Sequence, residues 1–204
     1  MKKRTKVMLT VLCAALLVAA SVMGTMAYLT SVDAVQNTFT VGKLNITLDE
    51  ADTDELGVLL KNKDGSHAAR VDENEYKLIP GRTYVKDPTV HVAPGSEASY
   101  VFVSVWNGLA ALDIDLTAQI EANGWKELEG HDGVYFQKVD ATGTEVKDLA
   151  VFEGFTVPTT VTGKQLQELP DGQNAPAVNV AAYACQQDTF ETAKEAWETC
   201  FVAD

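Results

Sequence analysis

Apolar residues at every second position, in short runs cut off by turn-forming pairs, constrain this 204-residue chain more than any other feature. Leu112, Ile114, Leu116 and Ala118 alternate with Asp113, Asp115 and Thr117, which predicts a strand with one face in a core and one in water. In 100–106 both faces are apolar: Val101, Val103 and Val105 on one, Tyr100, Phe102 and Trp106 on the other. That segment is predicted as a central strand covered on both sides. Val178, Val180, Ala182 and Ala184 give a third strand, whose small residues imply a close neighbour above it. Lys63-Asp64-Gly65-Ser66, Pro80-Gly81, Ala93-Pro94-Gly95, Asn107-Gly108, Asn123-Gly124, Asp132-Gly133 and Thr142-Gly143 separate the runs with residues that pre-set or tolerate turns. Many short strands so punctuated predict an all-β fold, a jelly-roll-like β-sandwich over 49–204.

Two helical stretches interrupt the alternation. Thr162 to Leu169, stopped by Pro170, is predicted as a short surface helix. Near the C-terminus, Asp188 and Glu191 have capping-box spacing, and Phe190, Ala193, Trp197 and Cys200 then share one helical face. That face is expected to cover a sheet face or edge, with Trp197 as a packing residue. In 39–48 the phase slips: Phe39 and Val41 occupy odd positions, Leu44, Ile46 and Leu48 even ones. Gly42-Lys43 therefore marks either a β-bulge or a bend between two short strands.

The N-terminus has the composition of an export signal. Lys2, Lys3, Arg4 and Lys6 precede an apolar run from Val7 to Ala20, which is short for a permanent membrane span. Thr25-Met26-Ala27 supplies small residues for a cut between Ala27 and Tyr28, making 1–27 a signal peptide. Cys13 lies inside the apolar run and is an ordinary residue of it. Without 1–27, 12 basic residues face 29 acidic ones, a net charge of −17. Nucleic acid and anionic membranes would repel such a surface.

Motifs for catalysis are missing from the sequence, and the expectation is a protein that is not an enzyme and carries no cofactor. His67, His91 and His131 are too far apart for a His-Glu-x-x-His stretch, and no metal site is expected from them. His91 should point away from Val90 and Val92, while His67 and His131 should be solvated. Ser31, Ser66, Ser96, Ser99 and Ser104 stand in no Gly-x-Ser-x-Gly elbow. The acidic residues Asp49, Glu50, Asp52, Asp54 and Glu55 lack EF-hand spacing and read as a solvated loop, with calcium as the alternative. An oxidising compartment permits a Cys185–Cys200 disulfide. Geometry favours two buried thiols instead, because Cys200 should sit roughly 16 Å along a helix from Thr189. A bridge needs Cα atoms within about 7 Å, so it would require the helix to fold straight back over the strand.

Met26-Ala27-Tyr28-Leu29-Thr30 and Asn37-Thr38-Phe39-Thr40-Val41-Gly42-Lys43-Leu44-Asn45-Ile46 resemble the start of the TasA/camelysin family, matrix proteins of Gram-positive bacteria matured by SipW-type signal peptidases. Val178 to Ala184, with Gln186, is similar to a late Ala-Tyr-Ala-x-Gln strand of such proteins. The resemblance implies a jelly-roll subunit of a secreted biofilm matrix or cell-surface fibre. Its partners would be further copies of itself, a SipW-type peptidase during export, and a second matrix protein. It also implies assembly by donation of the segment 28–48, through Phe39, Val41, Gly42, Leu44, Ile46 and Leu48, into the next subunit's sheet. Pairing of 28–48 within its own domain is the competing reading. Some relatives are described as casein-cleaving metalloproteases, an activity for which this chain has no zinc motif. A monomeric surface-binding module displaying Trp106, Trp125 and Tyr135 is the other alternative.

Overall fold

A computed structural model describes residues 30–33, 43–169 and 178–202. The strands are β1 (Thr30–Asp33), β2 (Ile46–Ala51), β3 (Arg70–Val71), β4 (Thr83–Val85), β5 (Thr89–Val92), β6 (Ser99–Asn107), β7 (Lys126–Glu127), β8 (Val134–Val139), β9 (Lys147–Ala150), β10 (Gly154–Thr156) and β11 (Val178–Gln186). Helix α1 (Thr117–Ala122) precedes β7, α2 (Gly163–Gln167) precedes β11, and α3 (Ala193–Cys200) follows it. Three sheets form, ordered β1-β11-β6-β8-β7, β3-β2-β5-β9 and β10-β4, with every pairing antiparallel. The larger two pack face to face, giving a β-rich, sandwich-like fold. Among the described residues no helix is long and apolar enough to cross a membrane.

The double apolar character of 100–106 decides the layering. On β6, Val101 and Val103 join Ala182 and Ala184 of β11 against Ile46, Val90, Val92 and Leu149 of the facing sheet. The alanines of β11 leave room there for the facing sheet to come close. Tyr100 and Phe102 point the other way, into a second core with Cys185, Val134, Ala193, Ala196 and Trp197. Helix α3 roofs that second core. Strand β6 is thus covered on both sides from Ser99 to Val103, as its sequence predicts, whereas Trp106 near its end is exposed and not covered.

The segment 112–118 is not a strand. Ala110–Leu112 is a single 3-10 turn, Asp113 follows at φ 59°, and α1 begins at Thr117. Its alternation is real as burial, since Leu112, Ile114 and Leu116 are all buried. The backbone finds other partners than a ladder. The Asn107 side chain donates to the Ile114 carbonyl (2.7 Å) and accepts from the Leu109 N–H (3.0 Å), and the Asp115 carboxylate accepts from the Thr117 N–H (2.8 Å). Side chains of Asn and Asp offer such local alternatives to a sheet.

Both expected helices form. For α2, the Thr162 hydroxyl accepts from the Gln165 N–H, and the Gln165 side chain accepts from the Thr162 N–H (2.9 Å), a complete capping box. The cap of α3 lies further along than Asp188 and Glu191 suggest. Thr192 is its N-cap, accepting from the Glu195 N–H (3.1 Å), while Asp188 sits in the 3-10 turn Gln187–Thr189. The β-bulge or bend at Gly42 lies outside the described residues.

Candidate assembly edge and the polar face of the smaller sheet

Strand β11 is the seat of the candidate assembly edge. One side of it pairs with β6 along its whole length, from Val178↔Asn107 to Gln186↔Ser99. The other side pairs with β1 of the same chain, from Thr30↔Cys185 to Asp33↔Ala182. Among the described residues, Val178 to Ala181 have no strand beside them on that second side. Ala27, Tyr28, Phe39, Val41 and Gly42 lie outside the described residues. Leu44 and Ile46 do not behave as part of a transferable strand. Both are buried in the core between the sheets, and β2 is paired in register with β5, Ile46↔Val92 and Leu48↔Val90. Of the segment 28–48, the described end from Leu44 to Leu48 belongs to this chain's own sheet and core, because apolar residues filling that core have nowhere equally dry to go.

The acidic run is divided. Asp49 and Glu50 are strand residues of β2 with partners within the fold, whereas Asp52, Asp54 and Glu55 follow the strand and Glu55 is exposed. Asp49 binds the guanidinium of Arg70, which also reaches Asp87 (3.0 Å), and accepts from His91 Nε2 (2.9 Å). Asp148, directly across from His91 on β9, meets Nδ1 at 2.7 Å. His91 does point opposite Val90 and Val92, which are completely buried. Partial burial lowers its pKa, but hydrogen bonds to Asp49 and Asp148, backed by their charge, outweigh that and hold it above the ordinary value. Both ring nitrogens are engaged by carboxylates. Among the described residues no three acidic, histidine or cysteine side chains converge as a metal ion requires.

Beneath this face lies a second polar group. Glu50 is buried, receives Lys86 Nζ at 2.6 Å and accepts from the Asn74 amide at 2.8 Å. Asn74 also accepts from the Thr53 N–H (2.9 Å), while the Thr53 hydroxyl is buried without a partner. Tyr76 donates to the Val85 carbonyl (2.9 Å); burial, reinforced by the Glu50 charge, pushes its phenol well above the usual range. The Asp54 carboxylate caps its own turn, accepting from the N–H groups of Leu56 and Val58, each at 2.9 Å. Apart from the Thr53 hydroxyl, these polar groups have partners within the fold. Arg70, Asp87, Asp148, Lys86 and Asn74 had no signal in the sequence, because cross-strand register brings them together from distant positions.

Trp106, Trp125 and Tyr135 do not form a platform. Trp125 and Tyr135 are buried, and Trp125 Nε1 donates to the Ala150 carbonyl (2.8 Å); Trp106 is 42% exposed. His67 is exposed, whereas His131 is half-buried against α3, 3.4 Å from Glu198, not solvated as expected. Cys185 and Cys200 are both free thiols, the first buried and the second half-buried, and they meet with their Sγ atoms 2.7 Å apart. The turn Gln187–Thr189 and the extended Phe190 reverse the chain, so α3 does fold back over β11. Compared with family models, curated proteins and solved structures, the chain matches none of them.

Proposed function

We propose that this chain is an exported structural subunit, a jelly-roll β-sandwich that polymerises into an extracellular matrix or surface fibre. The resemblance of 26–46 to TasA/camelysin proteins supports export, cleavage after Ala27 and maturation by a SipW-type peptidase. The observation that carries the assembly reading is the edge position of β1. A four-residue strand at a sheet margin has a single strand partner, β11, and so makes few ladder bonds. Its place on β11 can be filled by the same residues of another copy, since strand addition needs only matching backbone groups and register. The exchangeable piece is then the stretch before Leu44, not the whole of 28–48. Transfer from one copy to the next is head-to-tail, so it propagates into a filament and does not close.

Deletion of Tyr28 to Thr38 tests this. The truncated protein should stay folded and sediment as a monomer, while the cleaved parent forms fibres visible by electron microscopy. Fibres of unchanged appearance from the truncated chain would refute strand donation.

A further inference from the structure

On the outer face of the larger sheet, two sulfurs meet under a roof of aromatic rings. Cys185 is completely buried on β11, between Tyr100 of β6 and Thr30 of β1 in the ladder register. Cys200 comes down on it from the last turn of α3. Beside them Trp197 packs on Tyr183 and Phe102, and Phe201 on Tyr183, all with ring centroids 5.2 Å apart. The sulfurs meet within a largely apolar junction, and they connect α3, which otherwise rests on aromatic packing and the rim contact of Glu198 with His131, to a central pair of strands. No further metal-ligating side chain joins them among the described residues.

We propose that Cys185 and Cys200 are an oxidative cross-linking site, closing a disulfide that clamps α3 onto β11. The oxidant is another disulfide, that of a thiol–disulfide oxidoreductase or of oxidised glutathione. Cys200 is the reachable member, half-exposed while Cys185 is enclosed. The contact between the two sulfurs and the burial of Cys185 keep that thiol protonated, while the same contact favours the thiolate at Cys200. The Cys200 thiolate attacks one sulfur of the oxidant and expels the other as a thiol. Cys185 then attacks Cys200 in the mixed disulfide, gives up its proton to solvent and expels the oxidant's second thiol. The two protein thiols lose two electrons and two protons, and the oxidant's S–S bond becomes two thiols. The inference does not depend on the fibre reading. It does bear on the acceptor strand, since the clamp holds the residue that faces Thr30.

Trypsin separates the two residues, cutting after Lys164 and Lys194 to leave Cys185 in 165–194 and Cys200 in 195–204. The full chain, equilibrated with oxidised glutathione, alkylated while unfolded without reductant, and digested, should yield these two peptides covalently linked. Reduction should part them and lower the melting temperature by about 6–12 °C, as expected for a short closed loop in a chain of this size. The double variant C185A/C200A should melt near the reduced parent and respond no further to reductant. Alkylated Cys185 and Cys200, glutathione retained on either, or linkage of either to Cys13 would each overturn the proposal.

Discussion

Protonated His91 sits between two carboxylates, and partial burial opposes its charge less strongly than Asp49 and Asp148 favour it. The folded protein therefore holds this proton more tightly than the unfolded chain does. The resulting stability is fully present below the unfolded value of 6.5 and fades as pH rises through the raised folded value. Denaturant titrations at about pH 5.5 and about pH 8.5 should show that loss on the alkaline side, and H91Q should remove it. The buried pair beneath behaves differently. Lys86→Met leaves the Glu50 carboxylate buried with Asn74 as its remaining partner, and a cost of about 3–5 kcal/mol is expected in urea unfolding. The double variant E50Q/K86M should recover much of it, because no unpaired charge then remains. Neither network is readable from the residues around it. A strand pattern shows that His91 points away from Val90, but not that Asp49 and Asp148 flank it from two other strands.

Among the elements, α3 is held by its aromatic underside. Trp197 contacts Phe102, Tyr183 and Phe201, so W197A should cost about 3–5 kcal/mol and flatten the near-ultraviolet circular dichroism. The pairing of β10 with β4 depends on one glycine. Gly154 has φ 152°, and a Cβ there would land on the Tyr84 carbonyl oxygen. G154A is expected to destabilise by at least about 2 kcal/mol in chemical denaturation, through backbone strain and displacement of Tyr84. At this scale the sequence speaks clearly where an apolar pattern is long or a stop is firm. β6 and β11 follow from their alternation and α2 from the run stopped at Pro170, whereas the Thr162–Gln165 capping box and the shift of the last cap to Thr192 show only in the structure. It misleads at 112–118, where alternating burial comes without strand pairing because Asn107 and Asp115 satisfy the backbone locally.

For the whole molecule, charge and edge act together. With 1–27 removed, a net charge of −17 makes copies repel, so any self-assembly must work against that repulsion. Raising salt from roughly 0.01 M to roughly 0.1 M shortens the screening length from about 30 Å to about 10 Å. Fibre formation followed by turbidity and sedimentation should accelerate accordingly, and a rate indifferent to salt would count against contact between acidic subunits.

The sequence by itself determined which segments alternate, which carry apolar residues on both faces and where turns fall, because those properties depend only on neighbours a few positions apart. Only the tertiary structure decided that Leu44 and Ile46 belong to their own core, that Cys185 meets Cys200, and that Asp49, His91 and Asp148 share a face. Register between strands far apart in the chain sets those meetings, and register is fixed by how two apolar faces close on each other, not by any one segment read alone.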